Sequence, residues 1–351
     1  MTPKVTISLV TYNGGKYLPY LLPAIQKQSF SDWELMILDN NSADDTIEQI
    51  ESFKIKHTLL KERRNIGFAC AVNRIINWSQ SDYVFLINQD IQLPPDTLDK
   101  LVKFMNSHPD AAAAAPILCY WDFDNLQTTE IIDTGGLRLT KSYHIYDWLQ
   151  GQTLASQKLE TQEVFGVSGA LAIFRRTALN AVALPASNGG LEYFDENFFA
   201  YFEDADLAWR LRLAGWSSYL LADTIAYHHR TISAAPNASY QHSLIGQTRY
   251  WLGADQRRRR KSRHEFNAIA LSNHLSMIKK NSFKSLTLKY SLHIYSYIIA
   301  KIMYLTFLDG SGFKGLVRYL HYRPRMINKR KAIIKLRRIS TKDLQAWITK
   351  S

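Results

Sequence analysis

Short, unbroken apolar runs recur through the first part of the chain, and each stops at a cluster of small polar residues. Val5-Thr6-Ile7-Ser8-Leu9-Val10 gives way to Thr11-Tyr12-Asn13-Gly14-Gly15, Glu34 to Leu38 ends in Asp39-Asn40-Asn41-Ser42, and Val84-Phe85-Leu86-Ile87 ends in Asn88-Gln89-Asp90. Apolar runs of this length without alternation are the pattern of strands buried on both faces. Between them, Tyr17 to Gln28, Asp44 to Phe53, Ala69 to Trp78 and the stretch 95–107 carry the longer periodicity of helices. Strand and helix alternating at this spacing predict an α/β fold, a parallel sheet with helices on both faces.

In an open α/β sheet ligands bind outside the carboxyl ends of the strands, so the polar clusters share the functional edge. Asp90 is the focus. It closes the most apolar run, and Pro94 and Pro95 then force the chain out of the ladder. A carboxylate so placed suits a divalent cation held against phosphate oxygens, since hard cations take oxygen ligands and need only one or two from the protein. The competing reading is a cap for the helix that starts near Asp96.

Farther along, Ala111 to Leu118 reads as a strand, whereas 120–163 is aromatic and polar with no clear order beyond a turn at Asp133-Thr134-Gly135-Gly136. Phe165 to Ala170 forms a loop that feeds a strand, Leu171 to Phe174, and a helix begins at Arg175. Asp204 to Ala214 is helical, with Leu207 and Leu211 stacked and Gly215 as the C-cap. Glu203, Asp204 and Asp206 fall in its first turn, where free N–H groups and the macrodipole favour anions. Asp206 is also spaced to pair with Arg210. Tyr219 to Leu221 and Thr224 to Tyr227 predict two short strands, the second ending in His228-His229.

Taken together these stretches resemble the inverting glycosyltransferases of family 2, with a GT-A fold, and among them the rhamnosyltransferase-like group. The resemblance rests on Val10 to Gly14, Leu38 to Ser42, Asn65-Ile66-Gly67-Phe68 with Asn73, Leu86 to Asp90, Ser168-Gly169-Ala170 with Arg175-Arg176, Phe194-Asp195-Glu196, Phe202 to Leu207 and Tyr227-His228-His229. It implies that Thr11, Tyr12, Asn13 and Asp39 line a base and ribose pocket, with Arg64, Asn65, Asn88 and Gly169 also on the nucleotide sugar. Asn88-Gln89-Asp90 stands where the family has DxD, which leaves Asp90 as the acidic ligand for Mg2+ or Mn2+. His228 or His229 would be a further ligand, Asp204 the catalytic base, and Glu203 its orienting neighbour or an acceptor contact. The donor implied is a nucleotide-diphosphate sugar such as dTDP-rhamnose. The acceptor is a glycan or lipid-linked glycan of cell-surface polysaccharide assembly.

Charge divides the chain. From Arg249 onward there are 24 Lys and Arg against four Asp and Glu, whereas the preceding residues hold 19 against 27, within an overall net charge of +12. The division predicts a catalytic domain over 1–230 and a basic, mainly helical extension over 231–351 with an anionic partner. No nucleic-acid motif accompanies the basic residues, so a membrane surface is the expected partner and nucleic acid is not. Leu286 to Leu308 is apolar and aromatic but carries Lys289, His293 and Lys301, which predicts an amphipathic helix in the interface rather than a spanning one. The basic clusters at 257–263 and 323–338 flank it. Two distant cysteines and an amino terminus without a cleavable apolar leader predict a cytoplasmic protein, peripheral on the inner face of the membrane. The alternative is a catalytically inactive scaffold whose basic tail binds nucleic acid or membrane.

Overall fold

The computed structural model describes residues 2–186, 190–230 and 257–349, without the side chains of 257–263 and 349. The expected cationic cluster at Arg257 to Arg263 thus has its backbone in a helix and its side chains outside the described residues. The strands are β1 (Val5–Thr11), β2 (Trp33–Asp39), β3 (His57–Lys61), β4 (Tyr83–Asn88), β5 (Ile91–Gln92), β6 (Ala111–Asp122), β7 (Gln127–Thr134), β8 (Leu137–Leu139), β9 (Ile145–Asp147), β10 (Gln162–Val164), β11 (Leu171–Arg175), β12 (Leu184–Pro185), β13 (Leu191–Glu192) and β14 (Ser217–His228). The helices are α1 (Leu18–Gln26), α2 (Thr46–Ser52), α3 (Phe68–Trp78), α4 (Thr97–Ser107), α5 (Arg176–Val182) and α6 (Glu203–Leu213). A second group comprises α7 (Arg257–Asn281), α8 (Lys284–Lys289), α9 (Ser291–Tyr304), α10 (Gly312–Leu336) and α11 (Thr341–Thr349).

One sheet runs in the order β10-β14-β6-β11-β4-β1-β2-β3, with β5 added to β14 and β7 to β6. Strands β1 to β4 are mutually parallel where they pair, and β14 is parallel to β6. Only β11, between β4 and β6, runs against both neighbours. Two reversals cancel, so β6 and β14 present their carboxyl ends at the same edge as β1, β2 and β4.

Strand β4 shows why the frame is rigid. Phe85 and Ile87 pack under α1, α2 and α4, while Leu86 points to the opposite layer with α3, α5 and α6. All three are fully buried, and each contributes roughly 1.5–3 kcal/mol by leaving water. A third apolar cluster ties Phe165 and Trp209 to Met277, Leu286, Ile294, Met326 and Ile333 of the later helices. Helix α6 therefore sits between the sheet layer and the C-terminal helices.

One expectation needs revision. The two strands read around Tyr219 and Thr224 are one, β14, whose register against β6 shifts between Leu221 and Ile225. Ser291–Asp309 is a helical stretch of 19 residues long and apolar enough, by length and composition, to cross a membrane, although it carries Lys301 and Asp309. Lys289 is the last residue of the preceding helix, α8, with Tyr290 as its C-cap.

Candidate active site

Register brings the first polar clusters together. Thr11 faces Asp39 across β1 and β2, and Val10 faces Asn88 across β1 and β4. The buried Asp39 carboxylate accepts from Thr11 Oγ1 at 3.0 Å, from Ser42 Oγ at 2.5 Å and from the Ser42 N–H at 3.0 Å. Asn13 donates its N–H to Ser42 Oγ and accepts from the Ala43 N–H at 2.8 Å. Tyr12 exchanges two backbone bonds with the Gln89 amide, at 2.9 and 3.1 Å, and its own ring remains exposed. Arg64 is exposed, and Asn65 Oδ1 accepts from the Gly67 N–H. The result is a polar shelf on rigid strand ends.

At the far side of β4 the pairing of β5 with β14 sets His228 opposite Ile91, next to Asp90. His228 Nε2 lies 3.4 Å from Asp90 Oδ1, and Nδ1 lies 2.8 Å from the fully buried Asp133. Arg230 bridges Asp133, at 2.8 Å, and Asp147. Burial alone would lower the His228 imidazole, but Asp90 and Asp133 outweigh it and raise its pKa to about 10. The His229 ring turns elsewhere, with Nδ1 3.1 Å from the Trp121 carbonyl and the ring tilted against Tyr17 and Phe123.

Asp204 begins α6. Its Oδ2 accepts from the Gly169 N–H at 2.9 Å and its Oδ1 from the Ala205 N–H at 2.7 Å. Burial raises the carboxyl above its ordinary value against these two bonds. A Cβ on Gly169 would meet Asp204 Cβ at 3.3 Å, which explains the small residue there. Glu203 is buried, with Oε2 unpartnered among the described residues; burial first, then the Asp204 charge, push it up to about 8. Asp206 is structural, paired with the buried Arg210 at 3.0 Å as its spacing predicts.

The loop before α6 is strained and held from two sides. Phe199, Tyr201 and Phe202 all have positive φ, of 62°, 70° and 67°, which costs non-glycine residues free energy unless neighbours enforce it. On one side the Phe68 N–H donates to the Phe199 carbonyl at 2.7 Å, over Gly67, where a Cβ would lie 2.7 Å from that oxygen. On the other, the Asn273 amide nitrogen of α7 reaches the carbonyls of Phe198, Ala200 and Tyr201 at 2.7, 2.9 and 2.8 Å. Beneath the loop, the fully buried Lys280 sits between Asp195 and Asp206.

Residues 6–183, just over half of the chain, match the family described as Glycosyl transferase family 2. The chain belongs to that family. The family 2 chain is 28% identical over 252 residues to the N-acetylglucosaminyl-diphospho-decaprenol L-rhamnosyltransferase of Mycobacterium tuberculosis, covering 66% of this chain and 78% of that one. Among solved structures, GalNAc-T7 with UDP, GalNAc and Mn2+ superposes with a TM-score of 0.53 at 14% identity, over 85% of this chain and 58% of that one. The mannosyltransferase PcManGT from Pyrobaculum calidifontis, with GDP-Man and Mn2+, gives 0.49 at 17% identity, over 99% and 84%. The chain is thus a glycosyltransferase with the GT-A fold.

Several contacts that build the candidate site of this glycosyltransferase escape a reading of the sequence. Asp133 reads only as part of a turn, yet it fixes the imidazole of His228. Asn273 and Lys280 lie in the basic region, where a lone Asn or Lys carries no signal. Only the doubled charge of Asp195 and Asp206, both inside, implies that a cation must come from elsewhere in the chain.

Proposed function

We propose that this protein transfers a sugar, with inversion, from a nucleotide-diphosphate donor to a hydroxyl of a lipid-linked glycan, and that rhamnose from dTDP-rhamnose is the sugar moved. The observation that carries the reading is a pair of backbone contacts. The Asn88 N–H donates to the Ala170 carbonyl at 2.9 Å, and the next N–H back, on Gly169, donates to Asp204. The strand end that bears Asn88 and Asp90 is thereby joined to the base.

Asp204 is anchored through two N–H groups, and its carboxylate takes the proton of the attacking hydroxyl as oxygen bonds to the anomeric carbon from the face opposite the leaving diphosphate. Its raised pKa makes it a better base than a free aspartate. Glu203, protonated near neutrality, does not compete for that proton. Thr11, Asp39 and the Asn13 turn suit the base and ribose, with Arg64, Asn65 and Asn88 toward the phosphates.

Asp90 and His228 fit a divalent cation, Mg2+ or Mn2+. One carboxylate oxygen and one imidazole nitrogen converge, and the other ring nitrogen is held by Asp133, as a carboxylate commonly orients a metal-bound histidine. Among the described residues no cluster of three or more His, Cys, Asp and Glu side chains is grouped for a metal, so donor oxygens and water would complete the shell. Bound there, the cation would neutralise charge on the departing diphosphate. The choice of a lipid-linked acceptor and of rhamnose is supported by the mycobacterial relative, which is named for both.

The test is transfer from dTDP-rhamnose, and from UDP- and GDP-sugars in parallel, to a prenyl-diphosphate-linked N-acetylglucosamine. Product formed from dTDP-rhamnose alone is expected. Turnover only with another nucleotide would overturn the donor, and wild-type turnover by Asp204→Asn would overturn the mechanism.

A further inference from the structure

Helix α9 has two unlike faces. Its inner face is fixed to the catalytic half: Ile294 is buried, the Tyr297 ring packs on His144 and His274, and Lys301 Nζ lies 5.4 Å from the Phe202 ring centroid. Phe202 is the residue immediately before Glu203 and Asp204. Its outer face carries Leu292, Tyr295, Ile299 and Met303, spaced three or four apart along one stripe and all exposed, Leu292 to 79%. The stripe continues around the π-helical turn (Leu305–Asp309) to Phe307, 78% exposed, and onto Phe313 of α10, 71% exposed. Water-exposed apolar side chains in such a row mark an interaction surface.

The surrounding charge selects the occupant. From His264 to the end of the chain there are 17 Lys and Arg against three Asp and Glu. Lys284 and Lys289 on the helix before the stripe, and Lys314 next to Phe313, are exposed. A second copy docking on this face would oppose like charges, whereas anionic headgroups would neutralise them as the apolar side chains enter the acyl boundary. Tyrosine and lysine at the margins suit headgroup depth.

We infer that the outer face of α9, the π-helical tip and the start of α10 dock on an anionic bilayer, with α9 lying in its plane. A helix with one face bonded to protein cannot present its whole circumference to lipid. Because the inner face rests on Phe202, docking puts the start of α6 about one helix diameter, roughly 10 Å, from the lipid. On the reading of Asp204 as the base, the acceptor hydroxyl is then met just above the headgroups, where the sugar of a prenyl-diphosphate lipid stands.

The full-length protein is sedimented at physiological salt with vesicles of phosphatidylglycerol and phosphatidylethanolamine, and with phosphatidylcholine vesicles. Strong binding to the anionic vesicles only is expected. The combined change Ile299→Gln, Phe307→Ser, Phe313→Ser should weaken it by about tenfold or more, with melting temperature and gel-filtration volume unchanged. Should that protein melt early, Phe307→Ser alone carries the test, since its side chain touches little. Equal sedimentation of the altered protein would overturn the inference, as would a wild-type dimer that the changes split without lipid. Neither measurement uses donor or acceptor, so an inactive protein that still sediments counts against the transfer reading alone.

Discussion

Lys280 Nζ lies 2.8 Å from Asp206 Oδ2, and all other contacts of this fully buried ammonium are likewise internal. It also meets Asp195, which Lys329 reaches at 2.6 Å. A helix of the basic C-terminal region thus supplies the counter-charge for two carboxylates beneath the start of α6. Lys280→Met would leave those charges short of a partner and should destabilise the protein by roughly 3–5 kcal/mol. Denaturant unfolding checks it; an unchanged midpoint would show that Lys329 and Arg210 suffice.

Asn273 holds three carbonyls of a backbone that would otherwise relax from positive φ. Asn273→Ala should lower kcat by an order of about 10–100-fold, with little change in KM for the donor, because the base is displaced while the nucleotide shelf is untouched. A loss confined to KM would reject a positioning role.

Asp204→Asn keeps the shape of the site and removes the proton acceptor. The expected loss in kcat is about 10²–10⁴-fold, with donor binding near wild type by isothermal titration.

Glu203 gives a signed pH effect. Its carboxyl is raised to about 8 in the fold from an ordinary value of 4.5, so between those pH values the folded state keeps a proton that the unfolded state has released. Stability contributed by this group is therefore greatest below pH 4.5, falls as pH rises and levels off above 8. Glu203→Gln removes the dependence, and the melting temperature of the variant minus that of wild type should climb across this window. A flat difference would mean that water or a partner satisfies the group.

Mn2+ should raise the melting temperature of the wild-type protein in the presence of nucleoside diphosphate and leave Asp90→Ala unmoved. An equal shift in both would assign the cation to another site.

The sheet edge is legible in the sequence because apolar runs such as Val84 to Ile87 have one stable environment, and the polar residues that end them must share an edge once the strands are parallel. The place of Asp204 in the first turn of a helix is legible as well, from Leu207 and Leu211 four apart and Gly215 just beyond the helix end. The course of 120–163 is not, since strands that pair at a sheet margin, such as β7, need no hydrophobic alternation. Nor is the grip of the C-terminal helices on the site. Asn273 and Lys280 act through distant backbone and carboxylates, and no local spacing encodes a partner that far along the chain. The bulge in β14 hides for the opposite reason, because Ala222 and Asp223 read as a break although the ladder to β6 resumes at Ile225.

The burial of Lys280 bears on any attempt to make a smaller version of this enzyme. A fragment ending after the last sheet strand would lose both ammonium groups that neutralise Asp195, along with one of the cations on Asp206. It would have to admit water or take up protons to relieve them. Such a fragment should misfold or precipitate, so the minimal soluble unit must include the helices through Lys329.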